Sequence, residues 1–106
     1  MRHMLDHARE VVVMVRGRTR RDFDTDRMFQ LALTRLVEIV GQAATRVTPA
    51  GHERYPAIPW AKVVSTRDRI LHPHDIVNYD VVWDIVTLEI PTLVPVLERA
   101  LPGHVS

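Results

Sequence analysis

The sequence predicts an all-α fold: an antiparallel up-and-down four-helix bundle whose last helix is kinked and which pairs with a second copy. Three observations carry this expectation. Apolar residues recur at spacings of three and four in four separate segments, the period of one helix face. Where β-branched residues crowd together, at Val82, Ile85, Val86 and Thr87, they do not alternate with polar ones as a half-buried strand requires. Glycine and proline are sparse, four and seven, and Gly17, Pro49, Gly51, Pro56 and Pro73 fall between the periodic segments.

The first helix runs from about Arg2 to Val15, with Leu5, Ala8, Val12 and Val15 on one stripe and Gly17 as its stop. Arg18 to Arg21 then read as a solvated basic turn. The second helix starts near Asp24 or Thr25, either of which can cap it. Met28, Ala32, Leu36, Ile39 and Ala43 form one of its stripes, and Phe29, Leu33, Val40 and Val47 a neighbouring one. A helix apolar over so wide an arc belongs at the centre of the bundle. Thr48-Pro49-Ala50-Gly51 ends it, and a polar linker leads to Pro59-Trp60, a proline-led start. The third helix spans about Trp60 to Leu71. It stops at or just before His72, because Pro73 disfavours helical geometry at the residue before it. The fourth begins near Asn78 or Asp80 and buries Val82, Trp83, Val86, Ile90, Leu93 and Leu97. Pro91 and Pro95 each remove a backbone hydrogen bond, at about 3 kcal/mol in a helix interior, so a kink is expected near Pro91.

A length of 106 residues fits one domain, residues 1–106. Of these, 46% are apolar and 25% charged, ordinary for a globular chain. No run approaches the roughly 18 apolar residues of a membrane span. The stretch Val11-Val12-Val13-Met14-Val15 is too short and follows a charged segment, so neither a membrane partner nor a secretory leader is expected. The absence of cysteine excludes disulfides and thiolate metal sites and fits a cytoplasmic home. A net charge of +1 excludes nucleic-acid binding by bulk charge. Any such role needs a local cluster, such as Arg16, Arg18, Arg20 and Arg21, or two copies that place their basic groups in one cleft.

Several segments, in order and spacing, carry a family resemblance. They are Arg21-Asp22-Phe23-Asp24-Thr25-Asp26-Arg27, Ile39-Val40-Gly41-Gln42-Ala43, Ile58-Pro59-Trp60, Arg67-Asp68-Arg69-Ile70-Leu71-His72, and Asp75-Ile76-Val77-Asn78-Tyr79-Asp80-Val81-Val82-Trp83. Together they resemble the HepT-like branch of the HEPN superfamily, over about Leu5 to Leu97. The Arg-x4-His core alone is a weak pattern; the Pro-Trp lead-in and the Asp-x4-Asp-x2-Trp follow-on make the set fairly specific. The resemblance implies a small helical ribonuclease toxin, encoded beside a minimal nucleotidyltransferase that acts as its antitoxin. It implies a homodimer, a site in the groove between subunits, and an RNA substrate. Three positions depart from the family pattern. Asp68 stands where the family usually has asparagine and Gln42 where it commonly has glutamate. His74 replaces the tyrosine to which, in the resembled toxins, the partner attaches a nucleotide.

The chemistry of RNA cleavage without metal or cofactor needs a base, an acid and a cation. Histidine suits the first two, with its unperturbed pKa near 6.5. Arginine suits the third, its guanidinium matching phosphate oxygens. Arg67 and His72 supply this minimal catalytic set. Five residues apart on an ideal helix they would lie about 140° apart, so His72 has to leave helical geometry for the two to converge. Asp68 could orient either group or stand as a solvated carboxylate. His74 could be a second acid–base group or a loop residue. Tyr79 could replace the missing tyrosine or pack at a helix start. Two other accounts stay open: a non-catalytic binding subunit of the nucleotidyltransferase, and a metal site at His72-Pro73-His74-Asp75 or at the His3/His7 pair.

Overall fold

The computed structural model describes residues 1–72 and 76–101, His72 by its backbone alone. Among these, the elements run α1 (Arg2–Val15), α2 (Arg20–Thr25), α3 (Arg27–Thr45), α4 (Pro49–Arg54), α5 (Trp60–Val64), α6 (Thr66–Ile70), β1 (Leu71–His72), β2 (Ile76–Val77), α7 (Tyr79–Asp84), a π-helical turn (Ile85–Glu89) and α8 (Ile90–Ala100). The all-α class holds, with one small antiparallel hairpin that pairs Leu71 with Val77 and His72 with Ile76.

The first helix has the expected bounds, but its buried stripe is rotated from the expected one: Val12 and Val15 are only half-buried. It buries Met4, Leu5, Ala8 and Val11 and packs against α3, α8 and the π-helical turn. A salt bridge from Arg9 to Glu98 at 2.7 Å ties α1 to α8. The basic stretch after Gly17 is not a turn. Thr19 caps α2 through a reciprocal capping box: its hydroxyl accepts from the Asp22 N–H at 3.2 Å, and the Asp22 carboxylate accepts from the Thr19 N–H at 2.9 Å. Asp26 caps α3 in turn, accepting from the Phe29 N–H at 3.1 Å.

Helix α3 is the central element, in contact with α1, α2, α5, α6, α7 and the π-helical turn. It buries the stripe of Phe29, Leu33 and Val40 together with Leu36, Val37, Ala43 and Ala44. The other expected stripe is partly solvent-facing: Met28 is 82% exposed. The segment read as a polar linker contains α4, where Thr48 accepts from the Gly51 N–H and Pro49 occupies the first turn.

The single third helix of the sequence reading is two helices. Ser65 has φ −80° and ψ 2°, and the Ser65 and Thr66 hydroxyls both donate to the Lys62 carbonyl, drawing it out of a regular helical ladder. Helix α6 stops at Ile70, ahead of the expected end, because Leu71 is extended and the Asn78 N–H takes the Ile70 carbonyl at 2.6 Å.

The irregularity expected at Pro91 takes the form of a π-helical turn directly before it. Ile90 donates to Ile85 across five residues. The hydroxyls of Thr87 and Thr92 donate to the carbonyls of Trp83 and Leu88 at 2.7 and 2.9 Å. Val82, Val86, Ile90, Leu93 and Leu97 are all buried, before, within and after this turn. The Cα atoms span 40 × 33 × 17 Å, a slab two helices thick. No described helix is long and apolar enough to cross a membrane.

Candidate active site

Helix α6 and the hairpin hold the Arg-x4-His segment. Thr66 and Ile70, one turn apart, are 5% and 0% exposed and seat α6 against the core. Gly41 on α3 permits the close approach: a Cβ there would lie 3.2 Å from the Thr66 Cβ and 3.4 Å from the Val63 carbonyl oxygen. Arg67 and Asp68 are on the exposed side of the same helix. Arg69, about 200° around the axis from Arg67, turns the other way. It forms a two-point ion pair with Glu89 of the π-helical turn, at 2.8 and 2.5 Å. Lys62 stands 3.9 Å from the same carboxylate. The Arg69 hydrogen bonds hold the Glu89 carboxyl below the usual carboxylate range against its partial burial, helped by the charges of Arg69 and Lys62.

The backbone of His72 lies in β1, opposite Ile76, which is 61% exposed. Arg67 and His72 therefore do not share one helix, and the 140° separation of an unbroken helix does not apply. His74 lies outside the described residues, as do Pro73 and Asp75.

Tyr79 begins α7, which Asn78 caps by accepting from the Val81 N–H at 3.3 Å. Its ring meets Phe23 edge-on at 6.0 Å, and its hydroxyl accepts from Arg27 at 3.3 Å. Arg27 also donates to the buried Gln30 at 2.6 Å. Phe23 is fully buried and gathers Phe29, Tyr79 and Trp83 around it, with ring centroids 6.2, 6.0 and 5.2 Å away. The first motif segment thus builds an aromatic junction between α2, α3 and α7. Trp60 is also structural: 9% exposed, it donates to the Tyr55 carbonyl at 3.0 Å and stacks on His52 at 4.2 Å.

Half of the basic cluster after α1 is neutralised within the chain. Arg18 pairs with Asp22 and Asp26, and Arg20 with Asp24 at 2.9 Å and Asp80 at 2.6 Å. Arg16 and Arg21 remain exposed. The His3 and His7 rings lie 4.2 Å apart, with His7 Nδ1 donating to the His3 carbonyl at 2.8 Å. Among the described residues no three histidine or acidic side chains gather as a metal site.

A cavity of about 450 Å³ opens on the inner side of α6, between Val37, Val40, Val63, Ile85, Leu88 and Leu93. Its walls are mainly apolar, with Lys62, Thr66, Glu89 and Thr92 also on the lining, and neither Arg67 nor Tyr79 lines it. The Arg69–Glu89 pair was invisible to spacing arguments, because twenty residues separate its members and neither lies in a periodic pattern that names the other.

Comparison with known proteins places this arrangement. A family model described as ribonuclease HepT-like matches residues 4–100, a span that takes in the site helix, the hairpin and the aromatic junction. A protein of Caldanaerobacter subterraneus subsp. tengcongensis named "Putative RNase" is 29% identical over 93 residues, 88% of this chain and 83% of the relative. One of Methanocaldococcus jannaschii with the same designation is 26% identical over 98 residues, 92% of this chain and 81% of its own. A protein of Thermococcus cleftensis named "Probable ribonuclease HepT" is 33% identical over 72 residues, 68% of this chain and 66% of its own. No solved structure matches the chain. With nearly all of its length matched by the family model, the chain belongs to the ribonuclease HepT-like family.

Proposed function

We propose that this protein is a metal-independent endoribonuclease, the toxin of a toxin–antitoxin pair, with Arg67 and His72 as its catalytic residues. The observation that carries the reading is the position of Arg67. It is an exposed guanidinium on a short helix whose other face is locked in the core, and that helix runs directly into the strand containing His72.

In this reading the helices assemble as an up-and-down four-helix bundle, and two copies face each other across a groove. The slab is thin, and it leaves Met28, Leu31 and Leu88 at 82%, 47% and 64% exposure, apolar surface that a second copy would cover. The imidazole of His72 takes the proton of an RNA 2′-hydroxyl. That oxygen attacks the adjacent phosphorus and the bond to the 5′-oxygen breaks. The leaving oxygen takes a proton from His72 of the second copy, while Arg67 pairs with the non-bridging oxygens as charge gathers on them. The products are a 2′,3′-cyclic phosphate and a 5′-hydroxyl. The antitoxin is a minimal nucleotidyltransferase in the same cytoplasm. Since His74 offers an imidazole in place of the tyrosine hydroxyl, silencing rests on physical occlusion of the groove rather than on nucleotide transfer at that position.

The test is purified protein on end-labelled RNA in chelator, beside an Arg67→Ala/His72→Ala double variant. Cleavage with cyclic phosphate ends is expected, falling by about 10²–10⁴ in His72→Ala without unfolding. Light scattering should give twice the chain mass. A magnesium requirement or 5′-phosphate products would overturn the mechanism. A folded dimer that cuts no RNA would make the chain a binding subunit of the transferase.

A further inference from the structure

We propose that Glu89 is a positioning residue for the Arg67/His72 site, acting through its two-point ion pair with Arg69; this rests on the ribonuclease reading above. Helix α6 has five residues, far fewer than the roughly 12–15 an isolated helix needs to persist in water. It also lacks a side-chain cap at its start. Its orientation must come from what it touches. Thr66 and Ile70 seat it against the core beside α3 and α7, and the Asn78 N–H holds its last carbonyl, which leaves the aim of its outward side to be fixed by something else. The Arg69–Glu89 pair supplies this. Both oxygens of the carboxylate meet two nitrogens of the guanidinium, and the side chains are 29% and 25% exposed, sheltered from full solvent screening.

The anchor at the other end is stiff. Glu89 sits in the π-helical turn between buried Val86 and Ile90, so its backbone cannot yield without moving the core. Holding Arg69 inward holds Arg67, about 200° away, outward. It also fixes the point at which the chain leaves α6 for β1. A carboxylate that touches no substrate thereby sets the aim of one catalytic side chain and the origin of the strand bearing the other. An error of about 1 Å in such placement can cost about 10²-fold in rate.

Three variants test this: Glu89→Gln, Glu89→Asp, and the exchange Arg69→Glu with Glu89→Arg. Each is measured for single-turnover RNA cleavage, RNA affinity, thermal midpoint, and amide exchange at Asn78, whose N–H reports the α6–hairpin junction. For Glu89→Gln the cleavage rate should fall 10- to 100-fold, with RNA affinity within about twofold of wild type. Exchange at Asn78 should quicken while the core amides of α3 do not. The exchanged pair should recover at least a tenfold share of the lost rate. Wild-type cleavage with Glu89→Gln at full rate, or a loss matched by the unfolded fraction alone, would overturn the proposal and leave the ribonuclease reading intact. A wild-type protein that cuts no RNA would overturn the ribonuclease reading and the positioning role of Glu89 with it, and unchanged exchange at Asn78 would overturn the clamp itself.

Discussion

Replacing Gly41 by alanine sets two effects of opposite sign against each other at the seat of α6. In an open helix the change would stabilise α3 by about 1 kcal/mol, the propensity difference between the two residues. The added methyl, however, would meet the Thr66 Cβ at 3.2 Å and the Val63 carbonyl oxygen at 3.4 Å. Neither neighbour can rotate away, since one is fixed to the backbone and the other belongs to it. Helices α5 and α6 would have to retreat by a few tenths of an ångström, and overpacking of this kind costs about 1–3 kcal/mol. Because the nearest atoms are the rigid ones, the cost belongs in the upper part of that range, and a net loss of about 1 kcal/mol is expected. In urea this is a midpoint roughly 0.5–1 M lower, for a slope of about 1–2 kcal/mol/M. Ala32→Gly, on the exposed face of the same helix, calibrates the propensity term with no contact to α6. If Gly41→Ala instead gains as much stability as Ala32→Gly loses, the close approach of α6 is not tight and the reasoning fails.

Two further predictions concern charge and capping. The Glu89 carboxyl, held below its ordinary range by Arg69, contributes stability that is complete above its unfolded pKa of about 4.3 and is lost as pH falls through its lower folded value. Wild type should therefore be more stable than Glu89→Gln at pH 6, with the two denaturation midpoints converging in strong acid; a constant gap across that range would contradict the ion pair. Thr19→Ala should lower stability by about 1 kcal/mol through loss of the bond from the Asp22 N–H, while Thr19→Ser stays near wild type; equal midpoints for all three proteins would show that α2 does not depend on its cap.

Much of the fold was legible because it rests on periodicity. Helix α1 and the body of α3 carry strong stripes, and the Pro59-Trp60 start is a local signal. The features that pattern does not encode are short or long-range. Thr19 and Asp22 stand at capping-box spacing, but four arginines between 16 and 21 disguise the start of α2 as a charged turn. Thr48-Pro49 has the chemistry of a helix beginning, but coming after a long periodic segment and before Gly51 it carries the marks of an ending as well. Two-residue strands show no alternation at all, so the Leu71–Val77 pairing could not be found from pattern. At the site, Pro73 correctly warned that His72 would leave the helix, but the departure comes at Leu71 because Asn78 and Val77 offer that segment other hydrogen bonds. The partnership of Arg69 with Glu89 depends on how two elements pack, which no single segment encodes.

The π-helical turn makes the last third of the chain sensitive to where a residue is lost. A wide turn of this kind holds one residue more than the regular helix would, so it stores spare length rather than a bend. Deleting any one residue from 85 to 89 would allow a continuous α-helix, chemically unremarkable and with better local hydrogen bonding. It would also leave the two sides of the deletion in the phase they now have, because the turn already takes up its extra residue as width rather than rotation. Val82 would still face inward together with Ile90, Leu93 and Leu97. The same deletion within α7 or α8 would instead rotate everything beyond it by about 100°. The segment is therefore a vernier: it takes up one residue of length without changing which side chains face the core.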